Sequence, residues 1–327
     1  MACDLTAAGA LPKVTEPARH IVHVGLAKTG TTTLQKHAFP AISQLAGYAY
    51  NPSELVERLT AFRLFRDPAD RRAFETLRDR HGPVFVSDET LATWLPQHFE
   101  AAADDLLDLW GPHTRILISL RDPLDFQASL YAGSFRAGAY VSPQAFFVSE
   151  EQYCQRPGHD GHWMDDVFNV DRFDLRRLVQ IYQQRFESVH VLTLPAQFDL
   201  RELARVFGLS EDQRLALADA LARAPRLNSR PAAWDIKAHQ LYVRFTGRQM
   251  ATPRLGSRLL ADPHIAGASL RANAPGRAWW LKLRALLYRV LPSAPYRLPA
   301  NVYCNPELTR KNRAYLAELA ARENARA

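Results

Sequence analysis

The sequence predicts an α/β domain in three layers, a central and mainly parallel sheet with helices on both faces. Three observations carry the prediction. Short apolar runs rich in Val, Ile and Leu recur at 20–24, 83–87, 115–120 and 188–194, and such runs fit strands buried on both faces. Between them, the stretches 71–80, 101–110, 175–186 and 200–207 repeat apolar residues at three- and four-residue spacing, the period of a helix. Three of the four strands then run straight into polar residues, at the sheet end where ligands of parallel sheets bind.

Taken in order, residues 1–18 mix Ala, Gly, Pro and scattered charges and read as a flexible N-terminal tail. Residues 19–327 read as a single domain. Its first strand, His20–Val24, ends in the turn Gly25-Leu26-Ala27-Lys28-Thr29-Gly30-Thr31-Thr32-Thr33, and a helix follows that the pattern closes near Pro40. The second strand leads into Asp88-Glu89 and a helical start, and the third enters Arg121-Asp122-Pro123. The fourth is stopped by Pro195. Residues 132–172 are rich in Gly, Ser and aromatics with weak periodicity, the pattern of a lid-like insertion over the strand ends. Residues 232–327 form a basic, helical C-terminal region ending in a helix over 306–322. Within it, Arg271, Arg277, Lys282, Arg284, Arg289 and Arg297 occur with no acidic residue between them, and apolar residues at 279, 280, 283, 286, 287 and 290 share one helical face. Packing of that face on the core is the preferred reading; the others are peripheral contact with an anionic membrane surface and a basic rim that attracts an acidic glycan or lipid head group.

Composition narrows the function classes. The 327 residues are 47% hydrophobic and 23% charged, which excludes general disorder. A net charge of +7 and a pI near 9.4 suit an anionic ligand. No base-stacking motif accompanies the charge, so nucleic acid is not an expected partner. Cys3, Cys154 and Cys304 lie far apart with no CxxC pair, against a disulfide framework and a structural zinc site. His159-Asp160-Gly161-His162 reads as a polar turn, and no metal is expected. The start lacks a signal-peptide core and no apolar run is long enough to span a bilayer, which gives a cytoplasmic expectation.

Strand, glycine turn, helix is the order of a phosphate-binding loop. Backbone N–H groups converge there with the positive end of the helix dipole behind them. The spacing of Gly25 and Gly30 matches the Walker A pattern, but Thr31 stands where that pattern requires lysine. The lysine is Lys28, inside the loop. No strand ends in a magnesium-binding Asp in the Walker B manner, the nearest ending at Asp88 and Arg121. An ordinary magnesium-dependent ATPase is therefore disfavoured, and a P-loop nucleotide or small-molecule kinase is the secondary reading.

The run from Lys28 to Gln35, placed after the first strand, resembles the 5′-phosphosulfate loop of sulfotransferases that use 3′-phosphoadenosine 5′-phosphosulfate (PAPS). Arg121-Asp122-Pro123, Ser129 eight residues after Arg121, and Tyr131 are similar to the same family's 3′-phosphate motif. The likeness, to the bacterial branch, extends over residues 20–230 and takes in Phe207-Gly208-Leu209, Leu227-Asn228-Ser229 and, beyond them, the helix bearing Asn312. Pro195-Ala196-Gln197 departs from it, where many relatives carry a glutamate.

The resemblance implies a P-loop-like α/β/α fold and metal-free transfer of a sulfuryl group from PAPS to a hydroxyl or amine, on a carbohydrate or glycolipid-like acceptor. It implies that Lys28 stabilises the leaving phosphate and that Thr29, Gly30, Thr31, Thr32 and Thr33 hold the 5′-phosphate. Arg121 and Ser129 would hold the 3′-phosphate, with Asn228 and Ser229 as further nucleotide contacts. A guanidinium fork and a hydroxyl are suited to phosphate oxygens. Glu89 is the expected base, with Asp88 as the competing carboxylate and a histidine as the choice of small-molecule relatives. For Glu89 the alternative is a carboxylate favoured by a helix N-terminus. A non-catalytic nucleotide-binding module docked at a membrane is the remaining alternative.

Overall fold

The computed structural model describes residues 20–136, 142–156, 167–193, 200–222, 232–245, 286–287, 290–291 and 294–325. Its main sheet holds β1 (His20–Gly25), β2 (Ala49–Tyr50), β3 (Val84–Ser87), β4 (Arg115–Leu120) and β7 (Ser188–Thr193) in the order β2-β3-β1-β4-β7. Every pairing is parallel. A second parallel pair, β5 (Phe147–Val148) with β6 (Phe168–Asn169), lies within the segment read from sequence as a lid-like insertion. There Phe147 and Phe168 have no exposed surface and join the main core.

Side-chain alternation along the strands divides the core in two. Val22, Val24, Val84, Val86, Ile116 and Ile118 face one cluster; Ile21, Phe85 and Leu117 face the other. The first cluster is covered by α2 (Ser53–Phe65), α3 (Pro68–His81), α4 (Phe99–Trp110), α5 (Pro123–Arg136) and α8 (Leu175–Gln183). The second is covered by α1, α9 (Leu200–Phe207) and α10 (Glu211–Ala222). Here α1 is the continuous run Thr31–Thr33, π-helical Leu34–Ala38 and Phe39–Ala46. The short helices α6 (Pro143–Phe146) and α7 (Glu150–Cys154) flank β5. Towards the C-terminus come α11 (Ala233–Phe245) and α12 (Pro306–Ala325).

Three sequence expectations are corrected. The first helix does not close at Pro40 but continues to Ala46. The π-helical stretch makes this possible: the Phe39 N–H donates to Leu34 O, Pro40 has no N–H to give, and the Gln35 carbonyl so freed accepts from the Tyr50 hydroxyl at 3.1 Å. No helix starts at Glu89, because the Asp88 carboxylate accepts from the N–H and hydroxyl of Thr90, both at 2.8 Å, and holds a turn. The helix from Leu175 ends at Gln183, short of Phe186.

Caps and ties set the remaining positions. Asp122 caps α5 by accepting from the N–H groups of Leu124 (3.0 Å) and Asp125 (3.1 Å), ahead of Pro123. Buried Asn312 fastens α12 to the start of α8, donating to Phe173 O at 2.7 Å and accepting from Leu175 N–H at 2.8 Å. Among the described residues no helix is long and apolar enough to cross a membrane.

Candidate functional site

The loop 25–33 lies at the carboxyl end of β1, between the ends of β3 and β4. Gly25 has φ +104°, and a Cβ there would lie 2.7 Å from the backbone oxygen of Glu89, so only glycine fits. Gly30, at φ +85°, makes the second left-handed turn and starts α1. Between them Lys28 also adopts a left-handed backbone, φ +63°, at a cost of about 1–2 kcal/mol for a non-glycine residue. Local bonds hold the turn: Thr29 donates its hydroxyl to Leu26 O (2.6 Å), and Leu26 donates its N–H to Ser119 O (2.9 Å).

Arg121 and the loop are in direct contact. Its guanidinium donates to the backbone oxygen of Lys28 at 3.0 Å and approaches Asp125 at 3.4 Å. Along α5, Asp125, Ser129 and Gly133 recur at four-residue spacing and so share one face. The Lys28 side chain reaches that face at Gly133, where a Cβ would meet Lys28 Cε at 2.7 Å. The fold thus brings Lys28, Arg121 and the Ser129 face of α5 to one place, although the chain separates loop from helix by some ninety residues.

Glu89 comes to the same place from the other side. Thr31, the first residue of α1, donates its hydroxyl to Glu89 Oε2 at 2.7 Å. Asp88 is occupied with its own turn. Buried Arg63 on α2 supports this turn, donating to Thr90 O at 2.9 Å and Leu91 O at 3.3 Å. Burial lowers the pKa of this guanidinium, and the nearby Asp88 carboxylate opposes that shift. Thr32 and Thr33 lie half-buried in the first turn of α1. Asn228 and Ser229 fall outside the described residues, as do His159 and His162.

Beneath the loop, His23 joins three strand ends. Its Nδ1 pairs with the Ser87 hydroxyl and its Nε2 with the Ser119 hydroxyl, each at 2.8 Å. Complete burial pushes the imidazole pKa down to about 3, so the ring is neutral at working pH. Asn51 closes the network from β2's end, accepting from Ser87 N–H at 2.7 Å and donating to Ser87 O at 3.1 Å.

Sequence reading missed the parts played by Arg63 and Gly133. Arg63 was detectable as a charged residue beside the apolar stripe Leu55, Leu59 and Phe62. Gly133 carried no signal beyond being a glycine inside a helix.

A crevice of about 440 Å³ opens beside α5, lined among others by Asp125, Gln127, Ala128, Arg297 and Arg313. It contains no loop residue. It meets the loop site at Asp125, the neighbour of Arg121, while Gln127 lies on a face of α5 turned away from Ser129 and Gly133. No protein-family profile, no curated protein and no solved structure matches the chain.

Proposed function

We propose that this protein is a sulfotransferase that moves a sulfuryl group from PAPS to a hydroxyl or amine acceptor of carbohydrate or glycolipid-like chemistry. The observation that carries the reading is the contact between the two motifs: Arg121 donates to the Lys28 carbonyl, and the Lys28 side chain lies on the helix face that carries Ser129. A ligand with two phosphate groups fits that arrangement better than one with a single phosphate chain. The backbone N–H groups of Thr29 and of the start of α1, with the hydroxyls of Thr31, Thr32 and Thr33, would receive the 5′-phosphate, Gly30 allowing close approach and the Thr29 hydroxyl staying on Leu26 O. Arg121 and Ser129 would receive the 3′-phosphate.

In the proposed reaction the acceptor oxygen or nitrogen forms a bond to sulfur as the bond from sulfur to the bridging oxygen breaks. The bisphosphate leaves with the electron pair, Lys28 neutralises the charge growing on its bridging oxygen, and Glu89 takes the acceptor's proton. Positioning and fixed positive charge supply the catalysis, as in phosphoryl transfer. Glu89 would first exchange its bond to Thr31, whose hydroxyl then turns to phosphate. A cytoplasmic setting is part of the proposal, and contact of the basic C-terminal region with an anionic membrane surface stays second to packing of its apolar face on the core.

One observation favours a second reading. A hydroxyl at the start of the loop helix paired with a carboxylate after the neighbouring strand, as in Thr31 and Glu89, is a donor set that magnesium-dependent phosphotransferases use. Thermal shift separates the two. Adenosine 3′,5′-bisphosphate should raise the unfolding midpoint more than ADP with magnesium does; the reverse order would reject the sulfotransferase. Arg121→Ala should weaken bisphosphate binding about 10- to 100-fold, as loss of a charge-assisted contact does. Lys28→Ala should lower transfer about 100-fold or more while sparing most of the binding.

A further inference from the structure

Gly133 stands in the last turn of α5, three residues before Arg136, in a helix where alanine is the better former. Its backbone is not left-handed, unlike that of Gly25, Gly47, Gly82, Gly111 and Gly208, so conformation gives no reason for it. Space does. A Cβ at 133 would lie 2.7 Å from Lys28 Cε and 3.1 Å from Nζ, closer than carbon atoms pack. Lys28 is fixed at its other end as well, by its left-handed backbone and by the Arg121 guanidinium on its carbonyl. The side chain is therefore stretched along α5 from a pinned root to a bare α-carbon.

Resting on the donor-site reading above, we propose that Gly133 is a positioning residue for sulfuryl transfer: its missing side chain is the seat that sets where the Lys28 ammonium meets the leaving oxygen. A methyl group at 133 takes the space that the Lys28 end now fills, so that flexible end must move elsewhere. Displacement by about 1 Å is enough to cost up to about 100-fold in rate when the group acts on a developing charge. Nucleotide affinity is set by the loop amides, Arg121 and Ser129, so it changes little.

Gly133→Ala tests this with four readouts. The unfolding midpoint should stay level or rise, since alanine is the better helix former. The dissociation constant for adenosine 3′,5′-bisphosphate should stay within about threefold of the parent's. Release of sulfate from PAPS with water as acceptor should fall about 10- to 100-fold. Lys28 should react several-fold faster with acetic anhydride in competitive labelling, because its end has left the seat. Gly133→Val should move the last two further in the same directions. Parent-like sulfate release and parent-like Lys28 labelling in both variants would overturn the proposal. So would a lowered midpoint with binding and turnover falling together, which marks a packing role alone. If the parent chain itself fails to bind the bisphosphate, the donor-site reading and the transfer role fall together. The labelling result then still shows whether the lysine is seated on Gly133.

Discussion

His23 shows how a single residue can hold a site together without entering its chemistry. Strand periodicity identifies it as buried, but its two serine partners come from β3 and β4 and depend on strand order. Its folded pKa of about 3 lies below the value near 6.5 expected in the unfolded chain. Between those values the unfolded state binds a proton that the folded state refuses. The neutral ring's contribution is therefore complete above pH 6.5 and lost as pH falls towards 3, by about 2 kcal/mol at pH 5. Glu150, held down to about 2 by Arg172, acts in a lower range, and comparison with a His23 variant separates this ring from the chain's other ten histidines. Urea unfolding at pH 7 and pH 5 should show that loss in the parent and a flatter response in His23→Asn; equal slopes would contradict it. Lys28 and Arg121 were legible because each sits in a local motif. The Thr31–Glu89 bond and the support from Arg63 were not, because partners far apart in sequence are joined only by the order of strands.

Among the elements, α1 departs most from what its sequence announces. A proline marks a probable helix end because it removes a donor and crowds the preceding turn. Here the π-helical stretch shifts the bonding by one residue, and the Tyr50 hydroxyl supplies the hydrogen Pro40 lacks. Burial raises the Tyr50 pKa to about 12, which keeps that hydroxyl a donor at working pH. Tyr50→Phe should destabilise the fold by about 1 kcal/mol. In a Pro40→Ala background the cost should shrink, since an N–H at position 40 can take over the Gln35 carbonyl. A double-mutant cycle with no coupling would show that the two residues do not share that carbonyl. Strands were easier to read: β4 matches its apolar run residue for residue, and β1 and β3 do so within one. Buried strands have a composition signal of their own, whereas the two-residue β2 is too short to carry one.

At the scale of the whole molecule, the C-terminal helix is tied to the sheet domain rather than appended to it. Asn312 satisfies two buried backbone groups where α8 begins. Asp171 draws together three segments, accepting from Glu150 N–H (2.8 Å), Tyr303 Oη (2.8 Å) and Asn305 Nδ2 (2.7 Å). Asn312→Ala leaves a buried N–H and C=O unpaired and should cost about 2–4 kcal/mol in denaturant unfolding. Adenosine 3′,5′-bisphosphate affinity should stay unchanged in the folded fraction, because α12 does not reach the loop through this contact. The three layers were legible from the alternation of strands and helices. The packing of residues 142–156 and 167–172 was not, because buried Phe147 and Phe168 sit in stretches too short and irregular to show a period.

The central position of β1 has a consequence for how the molecule is made. It is synthesised before both of its partners, residues 84–87 and 115–118. Until the ribosome has delivered β4, the edge of β1 that pairs with it is bare, and the loop above has no Arg121 to hold it. Contacts so far apart in the chain form slowly and leave apolar strand surface exposed meanwhile. Nascent chains released before about residue 120 should therefore be bound by chaperones, which co-purification of truncated chains with a chaperone would show.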